Sequence, residues 1–103
     1  MRINIFKLKK GKEDILRDWG KEISKDINEA TASLVEEGCI EESLRIFEIG
    51  DEKYVVGVMC GEKGKKILPH NPDREINKKH FKILKECFGV EVSQEKIYSV
   101  KVE

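Results

Sequence analysis

Apolar residues follow two different rhythms along this chain, and the change of rhythm divides it into elements. The stretch Tyr54 to Cys60 (Tyr-Val-Val-Gly-Val-Met-Cys) has no polar residue at alternate positions. Successive side chains of a strand point to opposite faces, so a strand wetted on one side should alternate. This one is read as a central strand covered on both faces. Arg2 to Lys9 is a second strand, with Ile3, Ile5, Phe6 and Leu8 apolar and Gly11 ending it. Its apolar phase changes between Ile5 and Phe6, which predicts either cover on both faces or a bulge. Glu42 to Ile49 is a third strand, and the short turn Gly50 to Lys53 joins it to the central one as an antiparallel hairpin. Lys96 to Val102, with Tyr98, Val100 and Val102 on one face, is read as the last strand.

Between these runs the spacing becomes helical. From Lys12 to Glu37, the residues Ile15, Leu16, Trp19, Ile23, Ile27, Ala30 and Leu34 recur at three and four and draw one stripe, with Gly38 as the stop. A helix of that length would be about 39 Å long, against about 27 Å for an eight-residue strand, so it must overhang the sheet or bend. Asn28 to Ser33 is the weak section where a bend is expected. Gly61 to His70 is a Gly- and Lys-rich loop. Asn71-Pro72-Asp73 then opens a second helix as N-cap, N1 and first-turn acid, with Ile76, His80, Ile83, Leu84 and Cys87 as its stripe and Gly89 as its end.

The order is β-α-β-β-α-β, so the expected fold class is α+β, ferredoxin-like: one domain over residues 1–103, a four-stranded antiparallel sheet with two helices on one face. Helices on one side cannot cover the other. Ile3, Leu44, Val56 and Val58 suggest that the far face is apolar, and a second copy of the chain, giving a dimeric α+β barrel, is its expected cover.

Composition narrows the function classes. With 20 basic and 20 acidic residues the net charge is zero, so no overall field draws in nucleic acid or an anionic membrane. Aromatic residues are too sparse on the first and third strands for an RNA-reading sheet. Three cysteines with no C-x-x-C spacing point to reduced thiols and a cytoplasmic location. No apolar run approaches the roughly 20 residues of a membrane span.

The run Asn28 to Gly38 followed by Glu42-Ser43, together with Trp19 and with His80 ahead of Leu84 to Cys87, resembles a family of short uncharacterised bacterial and archaeal proteins. More distantly the chain is similar to the dimeric α+β barrel superfamily, which includes small monooxygenases, haem-degrading enzymes, sugar mutarotases and muconolactone-isomerase-like proteins. The resemblance implies a ferredoxin-like dimer with a pocket between sheet and helices. The family pattern has a His-Pro and an acidic residue shortly before the histidine of the second helix. Here Arg74, Glu75 and Asn77 hold those places, and His70 and Pro72 lie further upstream.

His80 is the leading candidate for chemistry. It lies mid-stripe between Ile76 and Leu84, where a half-buried imidazole can titrate near neutrality as a general acid or base. Asn77, one turn earlier, could fix its tautomer. The alternative is a structural histidine with one hydrogen bond. Asp26 and Glu37, at the border of the first helix's stripe, are candidate carboxylate partners, or else solvent-facing residues. Trp19 and Tyr54 are candidate pocket walls, although a buried Trp is usually core. The loop Gly61 to Lys66 lacks Walker A spacing. His70, His80 and Cys87 do not make a convincing metal set, because two helical turns separate the last two by about 10.5 Å. The expected function is binding of an unknown small molecule, with His80 as the candidate acid/base should the protein be an enzyme, and with no metal or other cofactor. The alternative is a non-catalytic homodimeric module for a ligand or a protein.

Overall fold

The structure is a computed structural model that describes residues 1–102. Its elements are β1 (Arg2–Leu8), α1 (Glu13–Lys25), α2 (Ile27–Glu36), β2 (Cys39–Ile49), β3 (Glu52–Gly61), α3 (Glu75–Cys87) and β4 (Phe88–Glu91). The four strands form one antiparallel sheet in the order β2-β3-β1-β4, so the fold is α+β and the apolar run Tyr54 to Cys60 is internal. No helix among the described residues is long and apolar enough to cross a membrane.

Register sorts the side chains into rows across the helix-covered face. Phe6, Val55 and Ile46 form one row, Asn4, Gly57 and Leu44 the next, and Arg2, Met59 and Glu42 the third. The first row belongs to the core, in which Leu8, Leu16, Val55 and Cys87 are buried together and Ile15, Ile83 and Phe88 pack around them. Hydrophobic burial is therefore concentrated at one end of the sheet. The face grades from apolar through glycine to charged. Leu44 belongs to this face, not to the far one where it was expected.

Three boundaries differ from the sequence reading. The long helix is two helices, broken at Asp26 (φ −113°, ψ 45°), just before the section expected to bend. The amide of Asp26 still closes α1 onto Glu22 and Ile23, while its carbonyl opens α2 by accepting from Ala30. The break re-phases the chain. Ile27, next on the α1 stripe, is exposed, and the fully buried residues at the α2 end are Ser33 and Glu37. The second predicted helix starts at Glu75, because Asn71 instead turns on itself and accepts from the Asp73 amide at 2.9 Å.

The last strand is Phe88–Glu91, not Lys96 to Val102. α3 ends already alongside β1. The Lys9 amide donates to the Cys87 carbonyl at 2.8 Å and the Val92 amide to Ile5 at 2.7 Å, so the chain pairs at once. Gly89 fits inside this strand because a Cβ there would lie 3.0 Å from the Lys7 carbonyl. Residues Ile97, Tyr98, Val100 and Val102 remain exposed beyond it.

Candidate active site

A cleft of about 490 Å³ lies between the sheet and α3, floored by Gly57, Leu44 and Phe6. Behind it, between α1, α2 and α3, is a second cavity of about 150 Å³. Glu42, His70 and His80 line both, so these three side chains form the partition between them.

His70 comes from the loop after β3, and α2 holds it. Gly38 ends α2 with φ 73°, a conformation suited to glycine, and its carbonyl accepts from Glu62 at 3.0 Å. The Leu68 amide donates to the Glu37 carbonyl at 2.9 Å, bringing the loop back over the helix end. Outside, Asn71 donates to Glu36 at 2.6 Å, and Arg74 grips Glu36 at 2.8 Å and Glu29 at 2.6 Å. Inside, Glu37 is 1% exposed. Its Oε1 accepts from Ser33 Oγ at 3.0 Å and lies in very short contact with His70 Nδ1. Asn77 donates to Ser33 Oγ at 3.1 Å and to the Asn71 carbonyl at 3.0 Å, which turns the serine proton toward Glu37. An acceptor oxygen shared in this way assigns the N–H of a neutral His70 ring to Nδ1, so that Nε2 is the nitrogen at which the ring gains or loses its second proton.

His80 is set the other way round. Trp19 Nε1–H donates to His80 Nδ1 at 3.0 Å. An indole N–H can only donate, so Nδ1 is the acceptor and the neutral ring carries its proton on Nε2. Burial, and then the nearby charge of His70, push the pKa of His80 down to about 4. The two imidazoles meet edge to face, with centroids 5.3 Å apart. In its neutral form the first presents a base at Nε2, and the second is an N–H donor that stays uncharged at neutral pH.

Glu42, opposite Met59 on β2, is the third member. Burial raises its pKa; His70 opposes the rise, while Glu37 adds to it. Glu37 and Glu42 each keep one buried carboxylate oxygen with no hydrogen-bond partner among the described residues. Such oxygens are costly unless a donor comes to them, and they mark where a polar ligand gains most.

Ligand atoms of Glu42, His70 and His80 all lie within 4.8 Å of one another, close enough for one metal ion. Trp19 argues against it. A metal on His80 Nε2 would require the proton to sit on Nδ1, where the indole N–H already points.

Among the residues singled out from sequence, His80 is in the partition, Trp19 bonds to it without lining either cavity, and Glu37 lines the smaller one. Asn77 is there too, bound to Ser33, while Trp19 holds the tautomer of His80. Asp26 lines a separate cleft with Glu22, Glu29 and Lys79, away from the histidines. Tyr54 pairs with Lys7 and Phe47 on the opposite face of the sheet, so it cannot wall this cleft. Cys87 is buried in the core and takes no part. His70, Ser33 and Glu42 were not assigned to the acid/base site from sequence. His70 sits in a loop without periodicity, and it was weighed only as a metal ligand with His80 and Cys87 and against the His-Pro pattern of the resembling family.

The protein is thus defined as an α+β domain carrying a buried histidine–carboxylate cluster between sheet and helices. Residues 1–102 match the model of a family of unknown function, DUF6176, and the chain belongs to that family. No curated protein and no solved structure matches it.

Proposed function

We propose that this protein is a small-molecule enzyme of the acid/base type, which moves a proton on carbon beside a carbonyl group. His70 Nε2 takes the proton, with Glu37 steadying the imidazolium that forms. His80 Nε2–H donates to the carbonyl oxygen as negative charge gathers there. Carrying the reading is the opposed bonding of the two rings: Glu37 on one Nδ1, Trp19 on the other. Neighbouring titratable groups driven to opposite roles are the physical signature of an acid/base pair. A neutral histidine donor stabilises an enolate-like oxygen without first having to lose charge. The runner-up, a non-catalytic binding module, would need only the cleft and not the opposed tautomers.

We further infer that the domain is ferredoxin-like and works as a homodimer of the α+β barrel kind. Central β1 and β3 and the strand order β2-β3-β1-β4 support the topology. Ile3 and Phe47, exposed on the face away from the helices, support the pairing.

Histidine nitrogen NMR and solvent-deuterium exchange into a panel of 2-oxo acids and ketones test the chemistry together. The expected result is a proton on Nδ1 of His70 and on Nε2 of His80, with exchange falling about 10²–10⁴-fold in His70→Gln. Exchange that persists in that variant, or zinc that binds tightly and shifts both rings, would sink the proposal.

A further inference from the structure

Gly57 is the one residue on the cleft floor whose identity neither backbone nor packing explains. It lies mid-strand on β3, between Asn4 and Leu44. It is not among the glycines with positive φ. A Cβ built on it would meet only Leu44 Cδ1, at an ordinary 3.5 Å. A strand interior loses stability by holding glycine, and such a glycine often marks the close approach of a ligand. Here it leaves the floor open midway between an apolar end and a charged end. At the apolar end Phe6 stacks on Phe88, with centroids 4.6 Å apart. At the other end Arg2 shares a row with Glu42 and Met59, while Lys85, from the last turn of α3, lines the cleft beside Phe88. Arg2 donates to Met59 Sδ at 2.9 Å and is ion-paired with no carboxylate among the described residues.

Resting on the acid/base reading above, we propose that the substrate is a small 2-oxo acid with an apolar ring, the ring lying over Gly57 and the carboxylate toward Arg2. The carbonyl oxygen then meets His80 Nε2–H. His70 Nε2 takes a proton from the neighbouring carbon. The C–H bond pair becomes the C=C bond of the enol, and the carbonyl π pair moves onto the oxygen. Return of the proton to oxygen completes a keto–enol tautomerisation that needs no co-reactant. Gly57 is the specificity-determining position for the ring.

Trp19 is the only tryptophan, so its indole N–H, bonded to His80, is a single NMR reporter of occupancy. Phenylpyruvate, pyruvate and the neutral ketone phenylacetone are titrated against it. Phenylpyruvate is expected to saturate the shift with an affinity about tenfold or more above that of pyruvate, which lacks the ring. Phenylacetone, which lacks the carboxylate, should also bind more weakly. Gly57→Leu should lose that advantage while melting at the same temperature or higher. Gly57→Ala, whose Cβ the floor accommodates, should weaken phenylpyruvate less and covers the case in which the leucine variant does not fold. Equal binding of phenylpyruvate and pyruvate overturns the proposal, as does wild-type affinity in the glycine variants. Equal binding of phenylacetone overturns the part given to Arg2. Histidine tautomers read on the same samples separate the two levels. If they stand as described but phenylpyruvate does not bind, this substrate class is wrong and the acid/base pair survives. If they do not, both fall together.

Discussion

Trp19 has the structural place of a core residue and the bonding of a site residue. Its ring is buried, and its one polar atom settles where the proton of His80 sits. Trp19→Phe keeps most of the apolar volume and removes the donor. The neutral His80 ring should then populate the Nδ1–H tautomer as well, which nitrogen NMR would detect, and stability should fall by about 1 kcal/mol for the lost buried hydrogen bond. An unchanged tautomer would mean that something else fixes the ring. Proton linkage gives a second prediction at this scale. Because the folded pKa of His80 is near 4 and its ordinary value is 6.5, the unfolded chain binds the extra proton between those values. Stability should therefore drop as pH falls from about 6.5 to 4, by up to about 3 kcal/mol from this group. Glu42 acts with the opposite sign, since its raised pKa favours the folded state on the acid side. Chemical denaturation of His80→Gln and the parent across this window isolates the histidine contribution, and parallel curves would exclude it. His80 was legible in the sequence because a helical stripe has a period. What holds it was not, because the indole lies 61 residues away and no pattern links the two positions.

Periodicity located the centres of the first three strands and of α1 and α3, but it merged α2 into α1 and put the last strand at Lys96 to Val102 instead of Phe88–Glu91. The first stripe continues on paper through Ile27, yet the chain breaks at Asp26 so that α2 can turn Ser33 and Glu37 inward. A pattern search built on apolar residues cannot find a helix whose buried face is polar. The same blindness applies to the loop that follows β3, whose order comes from Glu36 and Glu37 acting on opposite sides. Glu37 holds His70 from within, while Glu36 holds Asn71 and Arg74 from outside. Arg74→Ala should scarcely change global stability, because exposed ion pairs contribute little. It should loosen this loop, seen as faster hydrogen exchange at the Leu68 amide, which bonds to the Glu37 carbonyl. Unaltered exchange at Leu68 would show that the backbone bonds alone hold His70 in place.

At the scale of the whole molecule, the sheet has one face roofed and one bare. Ile3, Ile5, Val56 and Val58 occupy its middle, flanked by Phe47 and Tyr54. Four strands at about 4.8 Å spacing, roughly 25 Å long, offer about 500 Å² in plan. A stable pair of proteins usually buries about 800 Å² on each side, so this face alone is at the small end. In the proposed dimer the tail would supply what is missing. Ile97, Tyr98, Val100 and Val102 are 79–100% exposed, which is a poor arrangement for four apolar residues in a lone chain. They read as a strand in the sequence because their pattern is that of a strand, yet the chain's own sheet has already closed that edge with β4. A second copy would give them a surface to cover, so face and tail should act together. Val56→Lys, in the middle of the face, should turn the dimer into a folded monomer in sedimentation velocity. Removing residues 96–102 should weaken pairing by about tenfold or more while leaving the melting transition of the monomer in place. A parent protein that sediments as a monomer at millimolar concentration would remove the need for a partner, and the bare face would then have to be explained by something other than self-association.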